Sequence, residues 1–320
     1  MEKDDLKIVF MGTPDFALPS LRMLHKEGFR VAAVFTQPDR QTGRGHKMLP
    51  PPVKLLAEEL SIPVFQFEKV RRPEGVEVLK NLAPDLLVTA AYGQILTQEI
   101  LNIPRFGCIN VHGSLLPRLR GAAPVQWAII NGEKKTGVTT MMTVLALDAG
   151  DMLEKDEIEI PEDITAGELY AQLSVLGTRT LRRTLNKLLA GTLVRTPQDE
   201  SEATYFPMFK KGFGEIDFNQ PCRKIKDFIR GTNPAPGAYM MLSDNKIKVF
   251  KVSCKPDETG KTPGEILFAD QKTGLGIAAA DGMVLIEELQ WPGKSKTTSK
   301  ELLRGRSIQT GIVITRRDTD

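Results

Sequence analysis

Along residues 7–112 the apolar positions fall in short runs separated by amphipathic stretches. Residues 7–11 are mostly β-favouring and end at Gly12; residues 31–35 and 64–65 form further runs; residues 86–91 are nearly all apolar. A strand covered on both faces needs such a run, because neither face may present polar groups to the core. A last run, 108–112, ends at Gly113. Between the runs, residues 16–26 place Phe16, Leu18, Leu21 and Leu24 on one helical face behind a candidate capping Asp15, and residues 53–59 read as another helix. Strand and helix in alternation predict an α/β fold, a doubly wound, mostly parallel Rossmann-like sheet with right-handed crossovers. Ligands of such sheets bind beyond the carboxyl ends of the strands, where Gly12, Tyr92-Gly93 and His112-Gly113 fall.

The pattern then changes twice. Residues 165–189 carry Leu169, Leu173, Leu176, Leu181, Leu185 and Leu188 at helical spacing, and Ala190-Gly191-Thr192 stops the helix. From 195 to 209 there is no period, and Pro197 and Pro207 punctuate the stretch. The expected organisation is a catalytic domain over 1–190, a linker over 191–209 and a C-terminal domain over 210–320. In the last of these, residues 247–252 alternate, and 264–267, 276–279 and 283–286 are short apolar runs bounded by Gly and Asp. Closely spaced short strands predict a small OB-like β-barrel.

Composition narrows the class. Of 320 residues, 41% are apolar and 26% charged, the balance of a globular protein. No apolar run reaches the length of a membrane-spanning helix, and the charged start Met1–Lys7 is no signal peptide, so a cytoplasmic protein is expected. Cys108, Cys222 and Cys254 form no C-x-x-C, and with only three histidines neither a disulfide framework nor a metal centre is expected. The net charge of +3 is uneven: residues 210–320 hold 19 Lys and Arg against 14 Asp and Glu, a net of +5, leaving −2 for residues 1–209. A basic tail suits an anionic partner, though chance surface variation accounts for it equally well.

Asn110 and His112 stand two apart on a predicted strand, so both project to one face. A histidine at a strand end is more often structural than catalytic. Here its surroundings are specific: Asn110-x-His112 is followed by Ser114-Leu115-Leu116-Pro117, Arg120-Gly121-Ala122-Ala123-Pro124 and later Leu147-Asp148-Ala149-Gly150-Asp151. Gly12-Thr13-Pro14-Asp15-Phe16 lacks G-x-G-x-x-G, and Pro14 removes a backbone donor, which argues against a nicotinamide enzyme.

These segments together resemble those of the folate-dependent formyltransferases. The resemblance implies transfer of a formyl group from 10-formyltetrahydrofolate to an amine, without metal, with Asn110, His112 and Asp148 as the catalytic set. It also implies a folate site lined by Ser114, Leu115, Leu116 and Pro117 and by the backbone around Tyr92 and Gly93. The chemistry is coherent. The amine attacks the formyl carbon, an oxyanion develops, and Asn110 and His112 can donate to it; one such donor is worth roughly 3–4 kcal/mol in comparable sites. Asp148 either orients His112 and raises its basicity or takes the proton, directly or through water.

The acceptor is read elsewhere. The punctuated, basic stretch 35–48 resembles the inserted loop of those family members whose acceptor is initiator methionyl-tRNA, which implies tRNA contacts at Arg40, Arg44 and Lys47. Arginine suits this because its planar fork pairs bidentately and stacks on bases. Segments of the tail, Gly214–Phe218, Arg230–Pro234, Pro236–Tyr239 and 292–303, resemble the C-terminal domain of the same members. Partners are then initiator methionyl-tRNA and folate, with no membrane, and a monomer is expected. The chain departs from the pattern at Leu119, Val144, Ala146 and Ala235, none of which removes a catalytic group. A small-amine formyltransferase, a formyltetrahydrofolate hydrolase and a non-enzymatic tRNA-binding protein are the competing readings; only the first two use the Asn, His and Asp set, and none of the enzymes among them needs the basic loop and tail.

Overall fold

The structure, a computed structural model, describes residues 2–42, 47–255 and 259–316. Its contacts divide it into two compact units, one of residues 1–124, 135–158 and 170–206, the other of residues 125–134, 159–169 and 207–320.

The first unit is built on a seven-stranded sheet. Its strands are β1 (Lys7–Gly12), β2 (Arg30–Thr36), β5 (Val64–Gln66), β6 (Leu86–Ala90), β7 (Cys108–His112), β9 (Lys135–Met142) and β10 (Met152–Glu159), in the order β10-β9-β7-β6-β1-β2-β5. From β7 to β5 all neighbours are parallel, and β9 pairs antiparallel with β7. The expected mostly parallel, doubly wound sheet is therefore present. The centre of the sheet explains the sequence: Ile8, Val9, Phe10, Leu86, Leu87 and Val88 are all fully buried. Ala91 has φ of 47°, a left-handed conformation that ends β6 one residue before the apolar run does. Helices α1 (Leu18–Lys26), α2 (Pro52–Glu59), α3 (Pro73–Leu82) and α4 (Gln98–Leu101) connect the parallel strands. Asp15 does not cap α1. It opens a short 3-10 turn, Asp15–Ala17, and α1 starts after it with Pro19 in its first turn, where a missing N–H costs nothing.

A two-stranded hairpin, β3 (Arg40–Thr42) and β4 (Lys47–Leu49), follows β2. Its pairing gives structure to a stretch that reads in sequence as a loop. A second small sheet pairs β8 (Arg120–Gly121) in parallel with β11 (Tyr205–Phe206), so residues 204–206 lie along the segment after β7, while Thr196 bridges Met152 at the start of β10. Helix α5 spans Pro124–Ile130, and α6 spans Ala166–Leu189. On α6 Leu169, Leu173, Leu181 and Leu185 are fully buried, as their spacing predicts. Gly177 packs against β7 and β9; a methyl there would lie 2.8 Å from a methyl of Val111.

The second unit holds α7 (Cys222–Gly231), α8 (Ser299–Arg304) and the strands β12 (Ala238–Leu242), β13 (Asn245–Lys255), β14 (Ile266–Asp270), β15 (Gly274–Ala279), β16 (Gly282–Gln290) and β17 (Thr297–Thr298). These strands pair antiparallel in the order β12-β13-β16-β15-β14, with β17 on β16, the sheet of the small barrel expected. β13 is not a plain alternation. Ile247 and Val249 face the core, a bulge intervenes, and Val252 is the next core residue. The extra residue re-phases the strand and bends it, which a small closed core requires.

Candidate active site

Parallel register brings the predicted strand ends together. Gly12 pairs with Ala90, Ala90 with Val111 and Thr89 with Asn110, so the carboxyl ends of β1, β6 and β7 lie side by side. Asn110 and His112 leave β7 there. The Thr89 hydroxyl donates to Asn110 Oδ1 at 2.8 Å. This orients the amide: with its oxygen held by Thr89, its NH2 group points away with both donors.

His112 is buried, and its ring is placed on both sides. Nε2 lies 3.1 Å from the Leu119 carbonyl oxygen. A carbonyl only accepts, so Nε2 carries a hydrogen and, in the neutral ring, Nδ1 carries the lone pair. Nδ1 faces Asp148, 3.8 Å from Oδ1, beyond hydrogen-bond range but within the range of charge attraction. Asp148 is itself fixed. Its Oδ2 accepts from the Gly121 N–H at 2.8 Å. Its φ of 49° is left-handed, a conformation that aspartate tolerates better than most residues. Leu119, with φ of 61°, turns its carbonyl toward His112. Gly121 has φ of 98°, and a Cβ there would stand 2.5 Å from the Phe206 carbonyl oxygen, so only glycine fits. Gly150 is equally constrained, since a Cβ would lie 1.8 Å from the Met142 carbonyl oxygen. The glycines of the R-G-A-A-P and L-D-A-G-D segments thus allow the close approach that brings His112 and Asp148 together.

The segment Ser114–Pro117 turns just beyond His112. Ser114 is fully buried, and its hydroxyl donates to the Arg118 carbonyl at 2.8 Å. Leu116 packs with Met141 and Met152. Thr139 Oγ1 donates to the Ser114 carbonyl and accepts from the Leu116 N–H, and Lys155 Nζ donates to the Leu116 carbonyl at 2.5 Å. Pro117 is buried too, so of these four side chains Leu115 is the one partly open to a ligand. Tyr92 is buried in the core below β1 and β6, and burial pushes its hydroxyl far above the ordinary tyrosine pKa. Its carbonyl accepts from Thr13 Oγ1 at 2.9 Å, and the Gly93 carbonyl accepts from Gln37 Nε2 at 3.0 Å. The turn that follows exposes Ile95, and the loop before Asp148 exposes Leu145 and Leu147.

Of the residues assigned to tRNA, Arg40 lies on β3, with Nη2 3.0 Å from Glu68 Oε2 in an exposed pair. Arg44 and the side chain of Lys47 lie outside the described residues. Three groups that position the site escape sequence reading: Thr89, the Leu119 carbonyl and the Gly121 N–H. Two of them are backbone atoms, which leave no mark in a sequence. Thr89 could have been found from its place on the neighbouring apolar strand, where a lone hydroxyl needs a partner.

Two family matches cover most of the chain: residues 6–185 match the formyl transferase family, and residues 208–307 match the formyl transferase C-terminal domain. A methionyl-tRNA formyltransferase of Ruminiclostridium cellulolyticum is 49% identical over 309 residues, covering 96% of this chain and 98% of its own length. Another methionyl-tRNA formyltransferase, from Acetivibrio thermocellus, is 50% identical over 310 residues, covering 97% and 99%. Among solved structures the fold is shared with a sugar 3N-formyl transferase, WlaRD, in the presence of dTDP and 5-N-formyl-THF, at a TM-score of 0.66 and 18% identity over 91% of this chain and 99% of that one. HypX from Aquifex aeolicus, in complex with tetrahydrofolic acid, shares it at a TM-score of 0.62 and 19% identity, covering 97% of this chain and 50% of that one. With both of its parts matched in order and relatives near half identity along almost the whole length, the chain belongs to the formyl transferase family.

Proposed function

We propose that this enzyme transfers the formyl group of 10-formyltetrahydrofolate to the free amino group of methionyl initiator tRNA, in the cytoplasm and as a monomer. The observation that carries the reading is the convergence of Asn110, His112 and Asp148 at one strand end, with His112 held between the Leu119 carbonyl and the Asp148 carboxylate. The near-full-length likeness to methionyl-tRNA formyltransferases supports the choice of acceptor.

The folate substrate, when bound, supplies a formyl carbon activated by its bond to N10. The surroundings fit such a ligand: strand ends of a parallel sheet with exposed apolar Ile95, Leu145 and Leu147 suit a flat, partly apolar ring. The residues of the chain divide the remaining work. Asn110, its oxygen engaged by Thr89, offers its N–H donors to the formyl oxygen as that oxygen gains negative charge. His112 Nδ1, bearing the lone pair, takes the proton of the attacking amine, and the Asp148 carboxylate stabilises the imidazolium until that proton passes to N10 as the carbon–N10 bond breaks and tetrahydrofolate leaves. The gap of 3.8 Å between them leaves room for that proton to arrive. No side-chain nucleophile is needed. Arg40, Arg44, Lys47 and the basic residues of 210–320 bear on the tRNA, with the exposed Arg40–Glu68 pair readily exchanged for phosphate. Ser114, Leu115, Leu116, Pro117, Tyr92 and Gly93 shape the folate pocket chiefly by holding its backbone.

Formyl transfer from 10-formyltetrahydrofolate tests this directly, with initiator methionyl-tRNA, elongator methionyl-tRNA and no acceptor compared. Transfer to the initiator alone is expected. Release of formate without acceptor would instead mark a hydrolase using the same three residues.

A further inference from the structure

Residues 196–206, which carry no regular period, contact the proposed catalytic groups from outside the sheet. Gln198 Nε2 donates to the carbonyls of Asp148 and Gly150, both at 2.8 Å. Its Oε1 accepts from Arg120 Nε at 2.9 Å. Arg120 is fully buried, and three further donors go to the two carboxylate oxygens of Glu200, at 3.0 and 2.7 Å, and to the Tyr205 hydroxyl. The same segment reaches the other side of the site. Thr204 Oγ1 accepts from the Leu119 N–H at 2.8 Å, and Leu119 is the residue whose carbonyl holds His112.

We infer that Gln198 is a positioning residue of the transfer reaction, locking the turn that presents Asp148, and that buried Arg120 in turn locks Gln198. The inference rests on the reading of Asp148 as a catalytic group. Asp148 occupies a left-handed conformation, and the carbonyls on either side of Ala149 accept from one amide that cannot rotate while Arg120 holds its oxygen. A glutamine is required because one end must donate twice and the other accept. Without it the turn is free to relax, and the Asp148 carboxylate leaves its distance from Nδ1. Misplacement of a catalytic group by about 1 Å lowers turnover about a hundredfold.

The test uses the full chain and measures kcat and KM for both substrates, the pH profile of kcat, and Tm. Gln198→Glu keeps the acceptor for Arg120 and loses the donor for the two carbonyls. It is expected to lower kcat by about ten- to a hundredfold, with both KM values within a factor of about two and with a shifted pH profile. Gln198→Ala is expected to do the same, while Ser201→Ala, an exposed position of the same segment, leaves kcat unchanged. Asp148→Asn is measured alongside. An active Asp148→Asn sinks the reading of Asp148 itself; an inactive Asp148→Asn with fully active Gln198 variants sinks this inference alone. A loss in the Gln198 variants that raises KM and lowers Tm without moving the pH profile also overturns it, since that marks a merely structural role.

Discussion

At the scale of single residues, the candidate site holds three side chains in one orientation each. His112 is the clearest case, since the Leu119 carbonyl fixes which ring nitrogen bears the hydrogen. His112→Ala is expected to lower kcat at least about a hundredfold while folate affinity is largely kept, because the lost group acts only as charge moves. Equilibrium folate binding and steady-state kinetics check this, and retained turnover removes His112 from the mechanism. Asn110 depends on Thr89 in the same way. Thr89→Val keeps the shape and removes the hydrogen bond, freeing the amide to turn. One such bond is worth about 1 kcal/mol, so kcat should fall by about fivefold without change in KM for tRNA. An unchanged kcat would mean that the amide is held by something else.

At the scale of elements, β10 and α6 are joined by charge. Glu154 on β10 accepts from Lys187 and Arg183 on α6, both at 2.5 Å. Burial pushes the Glu154 carboxyl up, but the hydrogen bonds from Lys187 and Arg183 outweigh it and hold the group below the ordinary glutamate value. A carboxyl lowered in the folded state contributes stability above its unfolded pKa, near 4, and loses it as the pH falls through the lower folded value. Glu154→Gln should therefore lower Tm at neutral pH, and the difference from the parent should shrink toward zero as the pH drops below about 4. Thermal melts from pH 7 downward decide it; a pH-independent difference would assign the loss to packing. The hairpin of β3 and β4 differs in kind: its described ion pair, Arg40 with Glu68, is exposed and adds little to stability, which suits residues kept for a partner.

At the scale of the whole molecule, charge is distributed between the parts of the chain, with the net positive charge concentrated in residues 210–320. If that surplus meets tRNA phosphates, the affinity for tRNA should fall linearly in log–log terms with salt, by roughly 0.7–0.9 per phosphate neutralised. Filter binding across a salt series measures the slope, and a flat response would make the asymmetry irrelevant to binding. On α7 three of the four basic residues have acidic partners within their own unit: Arg223 and Arg230 bond Asp227, and Lys226 pairs with Asp163, whereas Lys224 is exposed. On that helix Lys224 is thus the basic residue open to a phosphate.

The sequence by itself determined what local pattern can carry. Strands buried on both faces are apolar at most positions, so β1, β6 and β7 are readable within a residue or so, and the leucine spacing specifies α6. Asn110 and His112 share a face because strand geometry alone demands it, and Asp148 is marked by its motif. What the tertiary structure decided are the relations between segments that no period connects. Asp15 loses the capping role its type suggests because a 3-10 turn and Pro19 reset the start of α1. The core face of β13 shifts by one residue at a bulge, where antiparallel pairing with β16 overrides alternation. The Leu119 carbonyl, the Gly121 N–H and the Gln198 amide converge on the site only after β8 and β11 pair. Backbone groups look alike in every residue, and a glutamine in an aperiodic stretch acquires its meaning only from the carbonyls that folding sets against it.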